Sequence, residues 1–305
     1  RLSGNVEFYN KSTTDLIGIV FPNTLTGFVS ITGNQGNLNN KGIEASLSSD
    51  NIRSRNFTWS TTLNFAHNKN KLIKVNRTAP IITGAAQVVA GAVENYPLFS
   101  IFAYQYAGLS DTGAPMIYLA DGTQSAARNI SKPEDIEYMG TGLPVWNGGL
   151  GNTFRYRNVR LSANLIFNMG HVMRRDRYVT INRPLKTNVH PDFLNRWKVP
   201  GDEANTNIPG LVNATANDYD YFASGNINVV DASFAKFRDI TLFYELPKSL
   251  TNRIRAQNIS IRAQMSNIML WKGNDFGIDP EFVGGLNMAL RSNQNTFSVG
   301  ANISF

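Results

Sequence analysis

Hydrophobic and polar residues alternate with period two along most of this chain. At the C-terminus, Phe297, Val299, Ala301, Ile303 and Phe305 share one face, while Ser298, Gly300, Asn302 and Ser304 share the other. Successive side chains of a strand point to opposite faces, so the stretch predicts a strand with one apolar and one small-polar side. The same pattern recurs at Ile259–Met265, Phe57–Phe65, Val159–Phe167 and Ile240–Leu246, with shorter versions at Ile43–Leu47 and Leu2–Phe8. No 3.6-residue apolar stripe competes with it. The fold class read from the pattern is all-β.

Strand length and loop order narrow the architecture. Strands of about ten residues exceed the usual five to six and match what crosses a bilayer at a tilt. Tight links are expected at Asn10–Ser12, Asp50–Arg55, Asn158 and Pro247–Arg255. Long connections alternate with them at Pro22–Asn40, Asn70–Trp146, His171–Val230 and Trp271–Gln294. Short turns on one rim and long loops on the other characterise an outer-membrane barrel. A soluble sandwich, both of whose ends meet water, has no reason to sort its loops this way.

On that reading strands run towards the short-turn, periplasmic side at about 1–9, 41–50, 147–157, 232–246 and 295–305. They return at about 13–21, 56–68, 159–170 and 257–270. About nine strands are expected, and because bacterial single-chain barrels have an even number, an odd set reads as part of a larger transmembrane antiparallel β-barrel. Phe57, Leu63, Leu161, Leu165, Ile240, Leu242, Ile261, Val299 and Ile303 are predicted to face lipid. Asn64, Arg160, Asn164, Arg262, Gln264 and Asn302 are predicted to face a lumen wide enough to keep them wet.

Composition removes competing classes. The 305 residues are 42% hydrophobic, 11% aromatic and only 17% charged, so disorder is excluded, and no apolar run is long enough for a membrane helix. With no cysteine there are no disulfides, thiolate metal sites or cysteine nucleophiles. The 29 Lys and Arg against 22 Asp and Glu give +7, but the densest cluster is Arg174, Arg175 and Arg177 around Asp176. A nucleic-acid binder would gather its excess into a patch, so none is expected as a partner.

Ordered phrases then carry a family resemblance. They are Asn39–Glu44 (NNKGIE), Phe57–Phe65 (FTWSTTLNF), Tyr104–Leu109 (YQYAGL) followed by Asp111–Pro115 (DTGAP), Trp146–Phe154 (WNGGLGNTF), Arg196–Asp202 (RWKVPGD), Asp231–Phe234 (DASF) leading into Ile240-Thr-Leu and Leu246-Pro, and the terminal Phe297–Phe305. In this order the sequence resembles the C-terminal barrel region of SusC/RagA-type TonB-dependent outer-membrane transporters of Bacteroidetes, across residues 1–305. The resemblance implies a 22-stranded barrel, an internal plug contacting TonB, and a SusD-like surface lipoprotein over the outer mouth. It also implies import of glycans or peptides, no enzymatic activity and no cofactor. The plug and the earlier strands would lie outside this chain. Phe305, ending the last strand, is similar to the signal read by the outer-membrane assembly machinery. The alternatives are a secreted soluble all-β carbohydrate-binding or hydrolytic domain, and a passive porin.

Candidate chemistry is sparse. Asp111-Thr-Gly spells the aspartic-protease triplet, but that chemistry needs two carboxylates sharing a proton and no second triplet exists, so a turn is expected. His67, His171 and His190 lack metal-binding spacing. Asp275, Asp279 and Glu281 could offer oxygens to Ca²⁺, against the plainer reading of a polar loop. Asp202, Glu203, Asp218 and Asp220 raise the question of a glycosidase pair, with a catalytic role disfavoured. Among the loop aromatics, Trp146, Trp197, Tyr219, Tyr221, Phe222, Trp271 and Phe276 are candidates for stacking on a substrate or partner. For Trp146 and Trp271, at strand ends, an interfacial girdle is the competing reading. Tyr106, Tyr118 and Tyr138 join the candidates for contact with a partner lipoprotein, since tyrosine and tryptophan are enriched at interfaces.

Overall fold

The computed structural model describes residues 1–20, 25, 27, 31–76, 80–175, 190–210, 220–282 and 295–305. Its strands, in chain order, begin with β1 (Leu2–Val20), β2 (Ile31–Arg53) and β3 (Phe57–Val75). Five short strands follow: β4 (Ser100–Tyr104), β5 (Tyr106–Leu109), β6 (Pro115–Tyr118), β7 (Gln124–Ser125) and β8 (Ile136–Thr141). Then come β9 (Trp146–Tyr156), β10 (Val159–Met169), β11 (Val172–Arg174) and β12 (Val229–Asp231), and lastly β13 (Phe234–Glu245), β14 (Asn258–Lys272) and β15 (Thr296–Ser304). The long strands form one antiparallel sheet in the order β1-β2-β3-β9-β10-β13-β14-β15. No described helix is long and apolar enough to cross a membrane, which says nothing against crossing by strands.

The sheet has eight described strands rather than nine. Residues 1–9 and 13–21 belong to one continuous strand, β1, and the tight link expected at Asn10–Ser12 is strand interior paired with Asn39–Lys41. The reason lies in the environment. The outward side chains of β1, β2 and β3 are mostly apolar up to Phe8, Ile43 and Phe65, and beyond His67 become Asn10, Lys41 and Lys69. The polar tripeptide marks where the strand leaves the apolar layer, not where the chain reverses. The parity argument therefore fails, and the bare edges replace it. Neither β1 nor β15 has a second neighbour among the described residues. Such long, unprotected edges need further strands beside them.

Register assigns the two faces. Directly opposed residues share a face, so Gly4, Leu47, Leu63, Leu150, Leu165, Phe237 and Ile268 form one apolar row. A lower row holds Phe57, Tyr156, Val159, Tyr244, Ile261 and Ala301. All nine residues expected to face lipid fall on this side. From Phe57 to His67, ten residues at ~3.3 Å and a tilt of ~40° give ~25 Å, the height of a barrel's apolar band. A soluble domain would bury this side, whereas here Phe8, Leu242, Ile261, Val299 and Ile303 stand uncovered. The other face is polar: Ser3, Ser48, Thr62, Gly151, Asn164, Asp239, Ser266 and Thr296 make one complete row across all eight strands. A cavity of about 470 Å³ spans five neighbouring strands on this polar side, so the sheet curls towards it.

Candidate functional site

The two longest loops fold together at the long-loop rim. β4 pairs with β8, β5 with β6 and β7, and β11 with β12. Two small cores hold this unit together: Tyr106, Leu109, Trp197 and Phe222 in one, Tyr104, Ile117 and Tyr221 in the other. Polar tips are satisfied as the rings are buried. Tyr106 Oη donates to the Asn207 carbonyl at 2.8 Å and Tyr221 Oη to the Ala127 carbonyl at 2.7 Å. Burial pushes the Tyr106 hydroxyl well above the ordinary phenol range.

This burial redistributes the candidate aromatics. Trp197, Tyr221 and Phe222, offered as ligand or partner contacts, are packed inside the loop unit, Phe222 being 1% exposed. Alternation cannot reveal such packing, because Trp197 lies in an irregular segment and Tyr221 and Phe222 in a single helical turn, Asp220–Ala223. Tyr106 is buried with them. Tyr219 lies outside the described residues. Trp146 and Trp271 stand on the apolar face at strand ends, 42% and 48% exposed, in the position of a membrane-interface girdle. Trp146 covers His67 with ring centroids 4.0 Å apart. Phe276 lies exposed under the Arg175 guanidinium, while Tyr118 and Tyr138 remain exposed on the loop unit.

Two cavities lie along the polar face. The outer one, about 540 Å³, is walled by Asn40, Asn68 and Asn70 of the sheet and by Pro97, Tyr138, Thr141 and Pro144 of the loop unit. Asn40 Oδ1 accepts from Asn70 Nδ2 at 2.7 Å and from Asn68 Nδ2 at 3.4 Å, while Asn68 Oδ1 is buried without a hydrogen-bond partner. About four residues further down the strands, ~13 Å at ~3.3 Å each, lies the 470 Å³ cavity. Ser46, Asn64, Asn147, Asn168, Arg238 and Glu281 line it, over a floor at Gly149. A side chain at Gly151, one row below, would collide with Thr62 Oγ1 at 2.6 Å. The glycines keep the wall flat where neighbouring amides project. Such a surface offers amide donors and acceptors to a polar solute beside the charged groups of Glu44, Arg238 and Glu281.

The charged candidates are structural. Asp279 and Glu281 are ion-pair partners of Lys236, whose side chain is 1% exposed, and Glu281 Oε1 also accepts from Arg238 Nη2 at 2.7 Å. The pairing pins the segment after β14 against the polar face and engages two of the three carboxylates that a Ca²⁺ ion would need, leaving Asp275 exposed. Burial alone would push the Glu281 carboxyl up, and the hydrogen bonds from Arg238 and Lys236 outweigh it, holding it below the usual range. Among the described residues no cluster of metal-ligating side chains occurs. Asp202 accepts from the Val199 and Lys198 amides, and Glu203 from the Trp197 indole and the Gly201 amide. Those bonds hold both carboxyls below their ordinary range, the opposite of what a glycosidase acid requires. Asp218 and the Asp220 side chain lie outside the described residues.

Asp111-Thr112-Gly113 is a turn. Ser110 closes it by hydrogen bonds to the Thr112 and Ala114 amides, and Gly113 has φ +74° with the Trp197 ring against it. Arg174 donates to the Phe102 carbonyl and Arg175 pairs with Asp192 at 3.4 Å, so these members of the basic cluster brace the loop unit. His190 faces the same Asp192, and His171 is buried, burial lowering its pKa against the opposing pull of Asp231.

No protein-family model matches the chain. It is 25% identical to TonB-dependent receptor P39 of Formosa agariphila, covering all of this chain and 34% of that protein. It is 24% identical to TonB-dependent receptor SusC of Bacteroides thetaiotaomicron, again over the whole chain and 30% of the relative. Among solved structures, the RagAB peptide transporter matches with a TM-score of 0.74 and 23% identity, over all of this chain and 34% of the other. The chain spans about a third of the length of the relatives it matches. End to end it is similar to TonB-dependent receptors, SusC among them, and its fold is that of the RagAB barrel region: a section of outer-membrane β-barrel wall with its outer loops.

Proposed function

We propose that this chain forms part of the wall and outer mouth of a TonB-dependent importer that carries polar solutes, glycans or peptides, across the outer membrane. The polar face supports this reading most directly: amide-lined cavities succeed each other from the loop rim down a surface with an apolar back. A passive porin would share the wall, but relatives matching along the whole chain are TonB-dependent receptors, which favours energised uptake through a plug elsewhere in the protein. The barrel wall contributes no catalysis and holds no cofactor in this reading. A SusD-like lipoprotein resting on the loop unit is its expected partner, with the exposed Tyr118 and Tyr138 as contacts. Phe305 serves as the assembly signal.

Growth of a deletion strain tests the reading. Loss of the full-length gene should abolish growth on one polar nutrient class, and a plasmid copy should restore it only while TonB is present. Restoration without TonB would favour the porin. Removing both long loops should reduce co-purification of the lipoprotein while the barrel remains heat-modifiable on gels; undiminished co-purification would defeat the partner claim.

A further inference from the structure

Three lysines stand together just outside the apolar band, on the lipid-facing side of the long-loop rim. The band ends at the row of Phe8, Ile43, His67 and Trp146. The next row outward is Asn10, Lys41 and Lys69, and the one after it Ser12, Asn39 and Lys71. The other strands β9, β10, β13 and β14 reach the edge of the band at Trp146, Met169, Ala235 and Trp271 and carry no lysine or arginine on this face. The cations are therefore confined to one sector of the rim, and they sit on strands rather than on loops.

All three lysines are exposed, and no ion pair among the described residues engages them. Lys41 directly opposes Lys69, which by itself disfavours the strand pairing. Beside them Asn39 Nδ2 donates to Asn10 Oδ1 and to Ser12 Oγ, both at 2.9 Å. Two residues along a strand tilted by ~40° raise a side chain by ~5 Å. Lys41 and Lys69 thus project ~5 Å above the band, and Lys71 ~10 Å above it. A phospholipid headgroup layer is ~5–8 Å deep, so the lysines span its depth and rise beyond it.

We propose that Lys41, Lys69 and Lys71 bind the phosphates of a saccharide-headed lipid in the outer leaflet, its acyl chains lying on Phe8, Ile43 and Phe65. Exposed charges by themselves require no occupant. Here the occupant follows from the height: lipid headgroups fill this layer around a barrel, and the lysines decide which headgroup stays. Ammonium groups at two heights suit phosphates carried on sugars, which stand taller than the single phosphate of a phospholipid. A free phosphate would meet the same charges but gain nothing from the apolar rows beneath. The contact is the same whatever the barrel imports.

Lipid A titrated onto the full-length protein in a zwitterionic detergent, with occupancy read by native mass spectrometry, tests the site. Lys41→Gln and Lys69→Gln should each weaken binding about five-fold, and the triple variant with Lys71→Gln about a hundred-fold. Lys11→Gln, level with Lys41 but opposite Asn40 on the inner face, should leave it unchanged. Lipid A stripped of its phosphates should bind the parent as weakly as intact lipid A binds the triple variant. Inorganic phosphate at the same concentration should not compete. Each variant should remain heat-modifiable on gels, which shows a folded barrel. Equal affinity for the two forms of lipid A would overturn the proposal, as would competition by inorganic phosphate or the absence of binding. So would a loss from Lys11→Gln equal to that from Lys41→Gln, which would mean that only net charge matters.

Discussion

The Trp59 indole donates to Asn152 Oδ1 at 2.9 Å on the apolar face of the sheet, and the same oxygen accepts from Thr61 Oγ1 at 2.7 Å. Thr61 in turn accepts from Asn51 Nδ2 at 2.6 Å. Polar groups facing hydrocarbon must satisfy one another, because no water can do so. Asn152→Ala should therefore cost about 1–3 kcal/mol, since two donors lose their acceptor. Combining it with Trp59→Phe, which leaves only the Thr61 hydroxyl without its acceptor while Thr61 still accepts from Asn51, should recover part of that loss. Urea unfolding of the full-length protein refolded into detergent would check both; a combined variant no better than the single one would refute the account.

The face assignment predicts an asymmetry between adjacent residues. Leu63 lies in the middle apolar row and Asn64 in the polar one. Leu63→Arg should cost about 2–4 kcal/mol in folding into vesicles, and Asn64→Arg far less. Equal costs would mean that the register is displaced by one residue, which exchanges the faces.

The ion pairs after β14 predict both a variant and a pH response. Glu281→Ala leaves the buried Lys236 with Asp279 alone; because one partner remains, the loss should fall below the roughly 3–5 kcal/mol of a buried pair broken outright. Limited proteolysis should then cut within 273–282, which resists in the parent. Because the folded Glu281 pKa is depressed, its contribution is present above the ordinary carboxylate pKa and is lost only as pH falls through the lower folded value. The segment should stay protected at mildly acidic pH and open in stronger acid. Opening at neutral pH would contradict the pairing.

The loop unit should unfold separately from the wall. Phe222→Ala should cost about 3–5 kcal/mol within that unit. Gly113→Ala should weaken it too, since a side chain there would meet the Trp197 ring at 2.4 Å with φ at +74°. Both variants should remain heat-modifiable on gels while losing protease protection between 96 and 145. Trp146→Ala, on the exposed strand end, should leave protection intact.

Alternation alone determined the membrane-level parts of the sheet strands, their two faces and which rim carries the long connections. Those follow from the two-residue period of a strand, which each segment carries by itself. It missed the continuation of β2 over 31–40 and of β3 to Val75, and the seven short strands of the loop unit. The same rule misread Asn10–Ser12, because a polar triplet looks alike whether a chain turns or a strand emerges into water. Only the ladder with Asn39–Lys41 distinguished the two. Tertiary structure also decided the fate of Trp197, Tyr221 and Phe222: whether a loop ring is buried depends on a second loop distant in sequence. It decided that Glu281 neutralises Lys236 and that Arg155 faces Arg160. These are relations between strands, fixed by register, and register is a property of pairs that no single segment encodes.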